Sequence, residues 1–182
     1  MRYLLVLALL LGAASAYAGD SQDQQHGSQG DGRGGPEVYD AQGKYIGPLV
    51  ESNFGDGVYL TINGAVTFVP INRVSGSTTA SATQFQWSGS GPAVFSSSDC
   101  SGPPILSVNS WARPSMAIRR GADVVLYVAG DAGSRPLAAG SERMPPNLDV
   151  CLPIVVDMPD SFAAQTTYPL TQAYPEPLSI RP

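Results

Sequence analysis

The sequence predicts an all-β fold, an antiparallel β-sandwich or open barrel of short strands held by one disulfide. Three observations carry that prediction. Glycine and proline are abundant, at 20 and 16 of 182 residues, and no window of about eleven residues keeps a helical apolar period with caps. Short β-branched and aromatic runs recur about every eight to twelve residues between turn-forming clusters, which is the spacing of a sandwich or barrel. The third observation is a pair of cysteines, Cys100 and Cys151, in a chain that reads as exported.

Residues 1–18 read as a secretory signal peptide. Arg2 supplies the positive start, Leu4 to Leu11 the apolar core, and Ala16-Tyr17-Ala18 the small residues before a cut at Gly19. The run is shorter than the ~20 apolar residues of a membrane span, and no later stretch is longer, so the chain is expected to be secreted or periplasmic without membrane insertion after cleavage. Loss of Arg2 with the leader takes the formal charge from −5 to −6, and Lys44 is the sole lysine. Phosphate binding runs on clustered cations, so nucleic acid is not an expected partner.

Residues 19–36 hold no large apolar side chain and read as a flexible Gly/Gln-rich linker, with nothing to bury against the entropy of ordering. The glycines from 27 to 35 break the strict period a collagen helix needs. Residues 37–182 read as a single β-rich domain.

Within that domain, Val38-Tyr39-Asp40 is a strand entering a turn with Asp first and Gly43 last, and the extended run 45–50 completes a hairpin. Val58-Tyr59-Leu60-Thr61-Ile62 alternates, placing Val58, Leu60 and Ile62 on one face. Asn63-Gly64 predicts a type I′ turn into the strand 65–70. Residues 72–92 are polar and read as a surface loop with one short strand at 84–87. Ser115 to Arg119 and Val124 to Val128 form a second hairpin about Gly121-Ala122, the latter run dense enough for a central strand. Residues 130–149 read as loop. Pro153 marks the second cysteine strand as an edge or a bulge, and residues 160–166 read as one helical turn behind Asp160-Ser161.

The opening Val38-Tyr39-Asp40-Ala41-Gln42-Gly43-Lys44-Tyr45-Ile46-Gly47-Pro48-Leu49 and the stretch Ser97-Ser98-Asp99-Cys100-Ser101-Gly102 are similar to those of small exported bacterial β-rich proteins, some of which follow a collagen-like or Gly-rich region. The resemblance covers roughly residues 38–182. It implies a secreted β module and brings no catalytic residues with it.

The chemistry-bearing residues agree with a non-catalytic reading. The only histidine, His26, falls in the linker, so a Ser-His-Asp arrangement lacks a positioned base. Cys100 and Cys151 are expected to pair with each other, since exported cysteines favour disulfides and two isolated thiols make a poor zinc site. Asp99, Asp123, Asp149 and Asp157 offer no preferred glycosidase pair, and the acidic turns at Asp56 and Asp131 read as turn formers rather than calcium ligands. No cofactor and no metal is expected.

The remaining candidates form a binding surface of Trp87, Trp111, Tyr59 and Arg113. Exposed aromatics stack on sugars or anchor a protein partner; the competing reading packs the tryptophans in a core over the disulfide. Arg119 and Arg120 read as solvated or edge-protecting cations. The expected function is a structural or protein-interaction module at the cell envelope or outside the cell. The alternative is a carbohydrate-binding module, so the expected partner is a protein or a glycan.

Overall fold

The computed structural model describes residues 34–76, 78–89, 91–107, 112–144 and 150–182. The leader, most of the linker, His26, Trp111 and Asp149 lie outside them. Strands hold 64% of the described residues and helix 3%, in several open antiparallel sheets of sandwich-like all-β architecture.

In chain order, β1 (Glu37–Tyr39) and β2 (Tyr45–Pro48) form the first hairpin. Its turn is built by Asp40, whose Oδ1 accepts the backbone N–H groups of Gln42 and Lys44, each at 2.9 Å. Gly43 takes φ +80° there, a conformation glycine adopts without a steric penalty. Then β3 (Val50–Ser52), β4 (Gly55–Ile62), β5 (Ala65–Ser75) and β6 (Ala80–Trp87) make a four-stranded meander. The β4–β5 turn has Asn63 at φ 50° and Gly64 at φ 82°, the two positive values a type I′ turn requires. Val58, Leu60 and Ile62 are buried and Tyr59 and Thr61 are exposed, as the alternation predicts.

The second half continues with β7 (Ala93–Phe95), β8 (Ile105–Ser107), β9 (Ser115–Arg120), β10 (Asp123–Ala129), β11 (Arg135–Arg143) and β12 (Leu152–Pro169). A single helical turn, α1 (Leu170–Ala173), precedes β13 (Ser179–Arg181). β12 joins this sheet, ordered β7-β11-β12-β10-β9 with β8 also on β12, while β13 pairs with β1 in a third sheet. β10 is central, as predicted, with β9 and β12 as neighbours.

Two cores result. The larger gathers Val38, Leu60, Ile71, Trp87, Leu126, Leu170 and their neighbours from all three sheets. The smaller lies around the disulfide, with Ala93, Phe95, Cys100 and Ile118 buried and Met116 and Tyr127 packed against them. Val124, Leu126 and Val128 face the first core while Tyr127 faces the second, so β10 is covered on both faces.

Four local expectations need correction. The polar stretch 72–92 is not one loop: β5 runs to Ser75 and β6 starts at Ala80. Of β6 only Phe85 and Trp87 are buried, and it lies at the sheet's end, so its outward residues carry no apolar signal. Residues 135–143 are strand rather than loop, paired with β12 and β7; their buried positions are the small Ala139 and Ser141, which leave no apolar pattern in the sequence. Residues 160–166 belong to β12 rather than to a helical turn. Arg119 is not a solvated cation, since Glu176 and the Trp87 carbonyl bind it.

Candidate interaction surfaces

The Cys100–Cys151 disulfide is formed, with Cα atoms 5.8 Å apart, inside the usual range for a bridge. It ties the turn after β7 to the start of β12. Polar bonds seat the same turn: the Cys100 N–H donates to the Ser141 hydroxyl at 2.8 Å, and that hydroxyl donates to the Ser97 carbonyl at 2.7 Å. Gly140 allows the close approach, because a Cβ there would sit 2.8 Å from the Ser97 carbonyl oxygen. The staple therefore closes over a turn already docked on β11.

Asp99 sits at the exposed tip of this turn. Hydrogen bonds from Ser101, side chain first and then backbone, followed by one from Ser97, hold its carboxyl below the ordinary carboxylate range. A depressed folded-state pKa contributes stability above the unfolded value and loses it as pH falls through the folded one. The Ser101 N–H, which donates to Asp99 Oδ1 at 3.1 Å, should exchange faster relative to other turn amides only as pH falls through the depressed Asp99 pKa, below the ordinary carboxylate range. NMR exchange rates across that range check this, and a flat ratio would remove Asp99 as the cause.

The structure separates the predicted binding residues. Trp87 is fully buried and is corrected from surface candidate to core residue. Its indole N–H donates to the Tyr174 carbonyl at 3.1 Å and its backbone N–H to Glu176 Oε1 at 2.6 Å. Arg119 completes the arrangement, donating to both carboxylate oxygens of Glu176 at 3.0 and 2.7 Å and to the Trp87 carbonyl at 2.8 Å. A tryptophan at a strand end is buried here because the segment before β13 folds over it. Trp111 lies outside the described residues.

Arg113 is committed to structure as well. It donates to the Gly130 carbonyl at 2.6 Å and pairs with Asp131 at 2.7 Å, while its backbone N–H donates to the Val66 carbonyl. Tyr59 remains partly exposed on the outer face of β4, its ring edge-on to Phe68 with centroids 5.4 Å apart. Of the predicted surface residues that are described, Tyr59 is exposed, Arg113 is partly exposed within an ion pair, and Trp87 is buried.

Two surfaces emerge that the sequence reading did not single out. The first is a groove of about 560 Å³ whose lining includes Phe54, Phe68, Pro70, Pro92 and Met116, with the hydroxyl residues Ser88, Ser107 and Ser115. Phe54, in the β3–β4 turn, is 54% exposed. Gly57 makes room for the Phe68 ring, because a Cβ at 57 would lie 2.6 Å from its Cζ.

The second surface is the start of β12. Val150, Leu152, Val155 and Val156 are all exposed, Val155 completely. Residues 152–158 pair only with β11 among the described strands, and no described strand lies on their other edge. Between Ala139↔Val156 and Ser141↔Pro153, β12 advances three residues against two on β11, an extra residue that marks a bulge beside Pro153. A partial signal was present in the sequence: an edge or bulge at Pro153 leaves adjacent valines with no single face to bury.

The fold and these surfaces define a disulfide-stapled, sandwich-like all-β module. No family model, curated protein or solved structure matches the chain. Among the described residues no helix is long and apolar enough to cross a membrane, and no group of three or more His, Cys, Asp and Glu gathers as a metal site would require.

Proposed function

We propose that the chain is an exported, non-catalytic β module, secreted or periplasmic, that works by binding a protein partner at the cell envelope or outside the cell. The observation that carries this reading is the apolar start of β12, where Leu152, Val155 and Val156 are exposed on a strand that only β11 pairs among the described residues. Contiguous exposed apolar surface is uncommon on proteins that act alone and marks interaction sites. The disulfide fits an oxidising compartment, and the leader-like residues 1–18 supply the route there.

A photo-crosslinking side chain at position 155 in producing cells should give a discrete protein adduct, and one at the exposed Thr61 should not. Val155→Asp, in the same experiment with the crosslinker at 156, should abolish the adduct while changing stability by no more than about 0.5 kcal/mol, as for surface substitutions generally. No adduct at either position would sink the interaction reading. N-terminal sequencing of the exported chain should begin at Gly19.

Carbohydrate binding is the second reading, and Phe54 over the serine-lined groove favours it. An aromatic face beside hydroxyls can stack on a sugar ring. A glycan array on the exported chain decides it: binding that Phe54→Ala removes would support the groove, and an array without binding would end the reading.

A further inference from the structure

Eight of the basic side chains lie among the described residues, and six have partners. Lys44, Arg73, Arg143 and Arg181 lie over aromatic rings, and Arg113 and Arg119 are ion-paired. Arg120 and Arg135 have neither. Arg135 differs from Arg120 in lining two adjoining cavities, of about 350 and 190 Å³, which share it together with Ala163 and Ala164.

The two cavities are chemically unlike. The larger is bounded by Gly130, Gly133 and Gln165. The Gln165 amide rests against Gly130, where a Cβ would lie 2.0 Å from its Oε1, and it has no hydrogen-bond partner among the described residues. The smaller is walled by Pro103, Pro104, Ile105 and Leu137, room for one aliphatic side chain. Asp131, the acid in the turn bounding the larger cavity, is already bound by Arg113 at 2.7 Å and does not compete for Arg135.

We propose that Arg135 is the anchor of a site for a carboxylate carried next to an aliphatic group, as at the C-terminus of a peptide ending in valine, leucine or isoleucine. A single guanidinium with no second cation matches a monoanionic carboxylate, which it can hold by two parallel hydrogen bonds. The Gln165 amide adds a neutral donor, and the Pro104–Leu137 pocket takes the terminal side chain. Capture of a chain end is an established recognition mode. The site uses different residues from the exposed start of β12, so either reading can fail alone.

The test is an NMR titration of the exported chain with N-acetyl-leucine, N-acetyl-leucinamide and glucuronate, following the Gly130, Gly133 and Ala163 amides. N-acetyl-leucine should give saturable shifts, and the amide and glucuronate should bind at least about tenfold more weakly, the scale of losing a charge-assisted hydrogen bond or the apolar contact. Arg135→Gln should lose about tenfold with its melting temperature unchanged, while Arg120→Gln should bind as the parent does. Absence of saturation, equal binding of the amide, or an unaffected Arg135→Gln would overturn the proposal. Glucuronate binding as tight as N-acetyl-leucine would overturn the peptide end as the ligand.

Discussion

Replacing Trp87 by alanine should lower the unfolding free energy by about 3 to 5 kcal/mol, the range for deleting a buried tryptophan. The side chain is fully buried in the larger core, so truncation leaves a cavity that neighbouring strands can only partly fill. It also strands hydrogen-bonding groups: the Tyr174 carbonyl loses the indole N–H, at a further cost of order 1 kcal/mol. Small domains hold only about 5 to 15 kcal/mol in total, so the variant should be near its unfolding threshold at growth temperature. Trp87→Phe keeps most of the volume and loses the indole bond, and should cost less than half as much. Urea denaturation of the three proteins measures this. A loss below about 1 kcal/mol for the alanine variant would contradict the core assignment.

The effect should extend beyond the ring, because the residue's backbone belongs to a polar junction. Glu176 accepts from the Trp87 N–H and from Arg119, and Arg119 reaches back to the Trp87 carbonyl. Arg119 and Glu176 are each less than one-fifth exposed, so loosening the strand end admits water to a pair shielded by its surroundings. Gly89 belongs to the same junction: its carbonyl accepts the Arg119 N–H, and a Cβ at 89 would sit 2.8 Å from that nitrogen.

Reducing or deleting the Cys100–Cys151 bond should cost about 4 kcal/mol in the chain-entropy account, given a separation of 51 residues. For a domain of this size that corresponds to a fall in melting temperature of roughly 8 to 16 °C. Thermal melts with and without reductant, and of a Cys100→Ala/Cys151→Ala variant, measure it. The turn around Cys100 keeps its Ser141 and Gly140 contacts after reduction, so the loss should concentrate at the start of β12. Exchange protection should fall first at residues 152–158 and persist in β10. A melting temperature unchanged by reductant would mean that these polar contacts, rather than the covalent bond, hold the two segments together.

The parts of the fold legible in the sequence are those decided by local chemistry. Asp40 with Gly43, Asn63-Gly64 and Gly121 each dictate a turn through φ or through a side-chain hydrogen bond, and all three hairpins form. Strand β4 was readable because one face is wet and the other dry. Strand β11 was not, since Ala139 and Ser141 are buried by close backbone approach instead of by apolar bulk. β12 hid for a different reason: its bulges, with Pro153 and Pro159 inside it, break the two-residue period.

The candidate surfaces divide along the same line. Trp87 stands in a polar stretch and reads as exposed, yet residues 174–176 from the far end of the chain close over it. Arg113 and Arg119 read as free cations, and their partners Asp131 and Glu176 lie 18 and 57 positions away. By itself the sequence determined the strand-rich class, the hairpins and the pairing of the two cysteines, because each depends on neighbours along the chain or on there being a single companion. Only the tertiary structure decided which aromatic meets water and which cation is left unpaired. Burial and charge pairing are set by segments far apart in sequence, and no local pattern encodes what will cover a given side chain.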